Sequence, residues 1–298
     1  MAHTNDTCVF CIASPILVAE ILQQTEYEHP SVKAEGFMHL CRSHQVSEVV
    51  DRFYPGVTDL KLLVIDISLL KSELVYEGAG GDFSNCDDSA SNFFNTESFP
   101  HLYGALNTNA IIDVVDVSRF NQKPIHPDTV AMLRHYRFER LPVEGTLFKS
   151  TWRSNQENTN GEPAGTAMIG VYANEPESVS CFHKLDFDEV WHAYNGDPFT
   201  LYLLYPDGKT EEVLMGTNPM AGQHIQYVIP AGVWQAGCLN DGGRYALFGC
   251  TMAPGFTGTC FEAGLADELI KQYPSRAEII KKLSVNGHET SMPEGFAS

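Results

Sequence analysis

From Glu189 to Tyr194 the chain reads Glu-Val-Trp-His-Ala-Tyr, an alternation of period two. It places Glu189, Trp191 and Ala193 on one face of a strand, and Val190, His192 and Tyr194 on the other. Similar runs of β-formers predict strands over 145–153, 165–172, 222–229 and 244–251, and over FTLYLLYPDGK, where Pro-Asp-Gly makes a tight turn. The polar stretch 156–163 predicts a hairpin loop, 268–283 a terminal helix, and 285–298 a frayed tail. The first part of the chain is patterned differently, with short strands and helices in alternation: VFCIAS, a helix ILVAEILQQ, GFMHL, a helix over 43–53 and a buried strand LKLLVIDI. In the second helix Val46, Val49, Val50 and Phe53 form an inner face, and Ser43 is the expected N-cap. The segment 80–98 is acidic and polar and reads as an exposed loop. Prolines 124, 127 and 142 punctuate a connection that holds a helix over 129–138. The pattern therefore predicts an α/β domain over 8–120, a linker with a helix over 121–140, and a β-rich domain over 141–284. The domains should meet near Gln122.

Composition narrows the partners. The 38 acidic and 19 basic residues give a formal charge of -19, which disfavours nucleic acid and anionic membrane surfaces. No apolar run reaches the length of a membrane span, and the first residues lack the layout of a signal peptide, so a cytoplasmic protein is expected. The eight cysteines are too sparse for a disulfide scaffold and read as buried thiols. Cys8-x2-Cys11 also has zinc-ligand spacing, although Cys41-x2-His44 makes a poor second half.

Two stretches carry the chemistry: FHKLDFDEVWHAYNGDP from Phe182, and VIPAGVWQAG from Val228. They resemble the paired motifs of the cupin superfamily, one per half of a small β-barrel. Glu189-x6-Gly196 and His183 match the first motif, and Pro230-x-Gly232-x2-Gln235 matches the second with glutamine in place of histidine. The blocks RLPVEGTLFKSTWRS, CFHKLDFDEVWHAYNGDPFTLYLLYPDG, YVIPAGVWQAG and YALFGCTMAPGF resemble, in the same order, the cupin family called domain of unknown function 985. The resemblance implies a double-stranded β-helix barrel with an open mouth, paired as a homodimer through the cupin domain. Metal-holding cupins use three His and one Glu. Here Leu185 stands at one of those positions and Gln235 at another, so no cofactor and no tightly held metal is expected. An ion, if held, would sit on His183, Glu189 and Gln235.

GFMHLCRSHQV, RFYPGVTDLKLLVIDI, LVYEG and FPHLYGAL resemble the family called domain of unknown function 952, which is similar in fold to ADP-ribosyltransferase-like domains. That resemblance makes His39, Glu77, His101 and Tyr103 candidate site residues.

If the Glu189 face points inward, that carboxyl group is buried beside an indole, a setting that raises a carboxyl pKa. His183 and Glu189 would then be an acid–base pair. Tyr245 is a candidate proton donor and Gln235 a group that orients a carbonyl or hydroxyl. Trp191 and Trp234 are flat walls for a ring, and Lys149 and Gln226 are further substrate-binding candidates. His192 belongs to the resembling motif, yet alternation turns it away from Glu189, and a bulge would be needed to bring it inside. Three function classes remain: an isomerase, epimerase or lyase acting by acid–base chemistry on a sugar, nucleotide-sugar or other carbonyl compound; a metal-dependent oxygenase or decarboxylase; and a non-catalytic protein that binds a small molecule in the same pocket.

Overall fold

Ser14 and Pro15 open the first helix, Pro15–Leu22: the serine hydroxyl accepts from Leu17 N at 3.3 Å, and proline at the first position needs no N–H partner. The computed structural model describes residues 6–79, 93, 94, 96–120, 122–285, 287 and 289–297. They divide into two units, 1–137 and 138–298.

In the first unit Lys61–Asp66 is the centre of a three-stranded antiparallel sheet, flanked by Cys8–Ala13 and Ile111–Asp116. A second sheet pairs Met38–His39 and Glu73–Glu77 with the central strand Phe99–Tyr103. Val9, Cys11, Leu63, Ile65, Leu102 and Leu106 fill the core. The pattern VFCIAS and LKLLVIDI therefore forms strands as expected, whereas GFMHL shortens to two paired residues. The helix expected over 43–53 begins as a turn of 3-10 helix, Ser43–Gln45, and becomes α-helical over Val46–Phe53. Ser43 is not its cap, and only Val46 of the four inner residues is fully buried, while Phe53 is 54% exposed. The helix Pro127–Tyr136 belongs to this unit, since Arg134 reaches Asp66 at 3.2 Å and Ser68 at 2.7 Å. The division thus falls at the end of that helix rather than at Gln122. Of the acidic loop expected at 80–98, residues 80–92 and 95 lie outside the described residues.

The second unit consists of two antiparallel sheets packed face to face. One runs Gln226–Ile229, Glu189–Gly196, Ala246–Met252, Thr166–Asn174, Leu147–Arg153, Glu139–Arg140. The other runs Thr210–Met215, Phe199–Leu204, Trp234–Leu239, Ser180–Leu185, Phe261–Ala263. Apolar side chains from both inner faces, among them Tyr172, Trp191, Leu201, Leu203 and Phe248, interdigitate between them. Gly196 ends the motif strand at φ 90°, and a Cβ there would stand 2.3 Å from the Tyr245 carbonyl oxygen, so the motif's last glycine has a steric reason.

Two expectations for the end of the chain need correction. The single helix over 268–283 is two, Ala266–Gln272 and Ala277–Lys282, because Pro274 lacks the N–H that would continue the first. The tail is not frayed among its described residues: Ala263 N bonds Thr290 O at 2.7 Å, Gly258 N bonds Phe296 O at 3.1 Å, and Met292 is buried.

Candidate functional site

Alternation in the motif strand is obeyed. Glu189 and Trp191 point into the barrel, 7% and 2% exposed, and so does Gln235 on the facing sheet. These three close a triangle across the two sheets. The Trp191 indole N–H donates to Glu189 Oε2 at 2.9 Å and to Gln235 Oε1 at 3.0 Å, and Gln235 Nε2 donates to Glu189 Oε2 at 2.9 Å. Oε2 thus accepts twice, so a proton on Glu189 belongs on Oε1. Burial holds the Glu189 carboxyl above its ordinary value, opposed by the nearby imidazole of His183 and reinforced by the carboxyl of Glu144.

His183 is buried, 3% exposed, on the strand Ser180–Leu185 and opposite Gln235. Its Nδ1 lies 2.8 Å from the Cys181 carbonyl oxygen, which can only accept, so Nδ1 carries a proton. In the neutral ring Nε2 is then the basic nitrogen. It faces Glu144 Oε2 at 4.0 Å, while Phe261 stacks on the ring at a centroid distance of 5.3 Å.

Glu144 is a second buried carboxyl, 6% exposed, and sequence reasoning missed it. It sits on a turn that places the β-branched Val143 at φ 63°, a strained conformation of the sort that accumulates at functional sites. A chain of buried hydroxyls ends on it: Tyr172 donates to Ser180 Oγ at 2.6 Å, Ser180 meets Thr146 at 2.9 Å, and Thr146 donates to Glu144 Oε1 at 2.6 Å.

Glu144, His183, Glu189 and Trp191 line one cavity of ≈ 300 Å³, walled by Phe148, Met168, Leu185, Met252 and Phe256 among others. The Cys250 thiol borders it beside Glu189 and is pushed well above its ordinary pKa, first by burial and then by that carboxyl, so it stays a thiol. Phe296, from the tail expected to fray, closes one side, and Arg153 stands on another. The signal for Glu144 and Arg153 was present in the block RLPVEGTLFKSTWRS, as charges set among strand formers.

Several sequence candidates lie elsewhere. Tyr245 precedes the strand Ala246–Met252, whose far residue Met252 pairs with Glu189. Seven residues of strand separate them by roughly 20 Å, and the Tyr245 hydroxyl donates to Asn195 at 2.7 Å instead. His192 is on the outer face with Thr251 at 3.0 Å, and Gln226 joins it there at 3.3 Å. The register shift in this strand comes after Ala193, too late to turn His192 inward. Lys149 is exposed between the cavity residues Phe148 and Ser150, hence on the opposite face. Trp234 alternates with Gln235 and packs outside the barrel core against the helical cluster, under the Lys184 ammonium at 4.6 Å.

A metal on His183, Glu189 and Gln235 does not fit this donor set. Both ends of the Gln235 amide are engaged with Trp191 and Glu189, and Leu185 offers hydrocarbon. Among the described residues no three His, Cys, Asp or Glu side chains converge to hold an ion. The zinc spacing near the start is not met in space either: Cys8 and Cys11 are buried, while His44 sits at the surface 3.5 Å from Glu97.

The four candidates of the first unit do meet, on one face of the sheet centred on Phe99–Tyr103. His101 is fully buried, its Nδ1 3.0 Å from Glu77 Oε1, and Tyr103 donates to the same oxygen at 2.6 Å. Phe37 stacks on His101 at 4.0 Å, and His39 lies edge-on at 5.0 Å with its Nε2 2.9 Å from Glu35. Burial lowers the His101 pKa, countered by Glu77, so Nδ1–H points to the carboxylate and the neutral ring keeps a basic Nε2.

Residues 131–264 match the family described as Cupin superfamily (DUF985), and residues 12–114 match the one described as Protein of unknown function (DUF952). The chain is similar to an uncharacterized protein of Saccharomyces cerevisiae, 29% identical over a 109-residue alignment that covers 32% of this chain. It spans about half the length of that curated relative, 54%. It is also similar to a crystal structure of a protein from Shewanella oneidensis, 27% identical with a TM-score of 0.49, covering 53% of this chain and 97% of that one. A hypothetical protein from Leishmania major is similar at 26% identity and a TM-score of 0.48, covering 53% of this chain and 98% of that one. The two domains expected from the sequence are thus each matched by a family model, and the carboxy-terminal unit is a cupin-like all-β region. Among the described residues no helix is long and apolar enough to cross a membrane.

Proposed function

We propose that the barrel is an acid–base catalyst acting on a small carbonyl compound, an isomerase, epimerase or lyase in type. One observation carries this reading: a single cavity brings together a buried imidazole of settled tautomer and a buried carboxyl that keeps its proton to higher pH than usual. In the first step His183 Nε2 takes the proton from the carbon next to the carbonyl while Glu189 Oε1 gives its proton to the carbonyl oxygen. The C–H bond breaks, an enol forms, and His183 becomes an imidazolium paired with Glu144. Return of the His183 proton to the same carbon and face regenerates the carbonyl compound with exchange only. Delivery to the opposite face, with Glu189 recovering the enol proton, completes an epimerisation. In an α-hydroxy carbonyl compound, delivery to the former carbonyl carbon, with Glu189 taking the neighbouring hydroxyl proton, completes an isomerisation. Trp191 and Gln235 hold Glu189 in place through Oε2.

The test is solvent exchange. Incubated in D2O with pyruvate and phenylpyruvate as probes, the full chain should incorporate deuterium beside the carbonyl faster than the protein-free control, as followed by proton NMR. Binding without exchange, across these and a wider set of ketones and aldehydes, would support the non-catalytic binding reading instead. For the amino-terminal unit the reading carried forward is the ADP-ribosyltransferase-like fold implied by the sequence blocks, supported by the meeting of Glu77, His101 and Tyr103 on one sheet face.

The acid–base reading has two consequences away from turnover. Unfolded, Glu189 loses its proton near 4.5, whereas folded it does so at a higher pH. Between those values the folded state binds more protons, so stability falls as pH rises through the window. Glu189→Gln does not titrate. Its melting temperature relative to wild type should climb as pH is raised above 4.5, and a difference that stays flat with pH would contradict the buried, proton-retaining carboxyl. The second consequence concerns metal: protein purified without a nickel column should carry well under one equivalent of iron, manganese, nickel, copper or zinc by elemental analysis. A stoichiometric ion lost in Gln235→Ala would restore the metal-dependent reading.

A further inference from the structure

Among the described residues Arg153 is the single Lys or Arg on the wall of the acid–base cavity. It is exposed while Glu144, His183 and Glu189 are buried, so the cation stands at the open side and the titratable groups at the closed side. The guanidinium is held in place without being neutralised: Nη1 donates to the Phe256 carbonyl oxygen at 3.0 Å, and Phe256 N in turn donates to Thr166 Oγ1 at 2.8 Å. Among the described residues it has no carboxylate partner, whereas Arg42, Arg134, Arg244 and Arg276 each pair with one. That is conspicuous in a chain with two acidic residues for every basic one. One of its five donors is used, and the rest form a planar fork suited to an anionic oxygen pair.

The cavity that Arg153 shares with the acid–base groups is lined further by Phe148, Met168, Trp191, Met252 and Phe296, an apolar wall against which an unsupported charge would be costly. The ≈ 300 Å³ interior is at the small end of ligand pockets. One arginine shares it with two carboxyl groups, a balance that suits a single negative charge at the mouth better than a doubly charged phosphate.

We infer that the ligand is a small organic monoanion whose carboxylate is held by Arg153 and whose apolar carbon skeleton reaches inward with a carbonyl group. The carboxylate assignment stands on the cavity itself, while the carbonyl rests on the acid–base reading above. Arg153 is then a specificity residue that orients the ligand so that its reactive carbon meets His183 Nε2.

Calorimetric titration of the full chain with phenylpyruvate, its methyl ester and inorganic phosphate tests this. Wild type should bind the acid about 10- to 100-fold more tightly than the ester, the range of one charge-assisted hydrogen bond. Arg153→Met should remove that preference and Arg153→Lys should keep part of it, because the point charge survives while the fork is lost. The preference should persist in His183→Asn, since binding needs no proton transfer. A wild-type protein that shows the preference but no exchange therefore counts against the acid–base reading alone. Equal affinity for acid and ester, no binding of phenylpyruvate at millimolar concentration, tighter binding of phosphate, or an Arg153→Met protein that still prefers the acid would each overturn the inference.

Discussion

His183→Asn should lose deuterium exchange by about 10²- to 10⁴-fold, the contribution of one positioned general base, while its melting temperature stays close to wild type. Asparagine is the informative substitute because its amide N–H can take over the bond to the Cys181 carbonyl that Nδ1 makes at 2.8 Å. What it lacks is a basic atom at Nε2. Fold and pocket are therefore kept, and the proton acceptor is removed. The stacked Phe261 ring still covers one side of the site. Glu189→Gln removes the opposite partner, the proton donor, and should show a loss of the same order. Near wild-type exchange in either protein would remove the acid–base assignment, and the carboxylate preference of Arg153 would then describe a binding protein.

Trp191→Ala should destabilise the carboxy-terminal unit by about 3–5 kcal/mol, the range for deleting a buried large aromatic ring. The indole packs against Phe248 at a ring distance of 4.8 Å and near Tyr172 and Phe199 at 6.3 Å, so several partners face the void it leaves. A polar cost adds to it, because Glu189 Oε2 and Gln235 Oε1 each lose the Nε1–H donor in a site shielded from bulk water. Trp191→Phe separates the two contributions: it keeps most of the ring and should cost about 1–3 kcal/mol, mainly through the missing donor. All three tryptophans, Trp152, Trp191 and Trp234, lie in the second unit. Urea denaturation followed by the fluorescence of the remaining two in each variant therefore reports that unit without interference from the first. A loss under 1 kcal/mol for Trp191→Ala would mean that the ring does not tie the two sheets together.

Legibility varied from residue to residue. The period of two was sufficient to put Glu189 and Trp191 on one face and His192 on the other, since side-chain direction in a strand follows from backbone geometry alone. The spacing Pro230-x-Gly232-x2-Gln235 likewise brought the amide to the interior. Two misplacements came from weighing residue chemistry above periodicity. Trp234 and Lys149 are attractive ligand groups, yet each alternates with a residue that faces inward. Tyr245 failed for another reason, distance along the strand, which depends on how the ladder Glu189–Gly196 against Ala246–Met252 is registered.

By itself the sequence determined the two-part organisation, the strand faces, the titratable pair His183 and Glu189, and the substitution of Leu185 and Gln235 at positions where metal-holding cupins have imidazoles. These are local properties, set by alternation, turn residues and side-chain type. Only the tertiary structure decided which groups share the cavity. Glu144 comes to His183 from 39 residues away through a turn and a chain of hydroxyls, Arg153 is held by the carbonyl of Phe256, and Phe296 arrives from the end of the chain. Such meetings depend on how the two sheets close over each other, and burial then tunes the chemistry: a carboxyl becomes a proton-retaining acid only once the opposite sheet has excluded water from it.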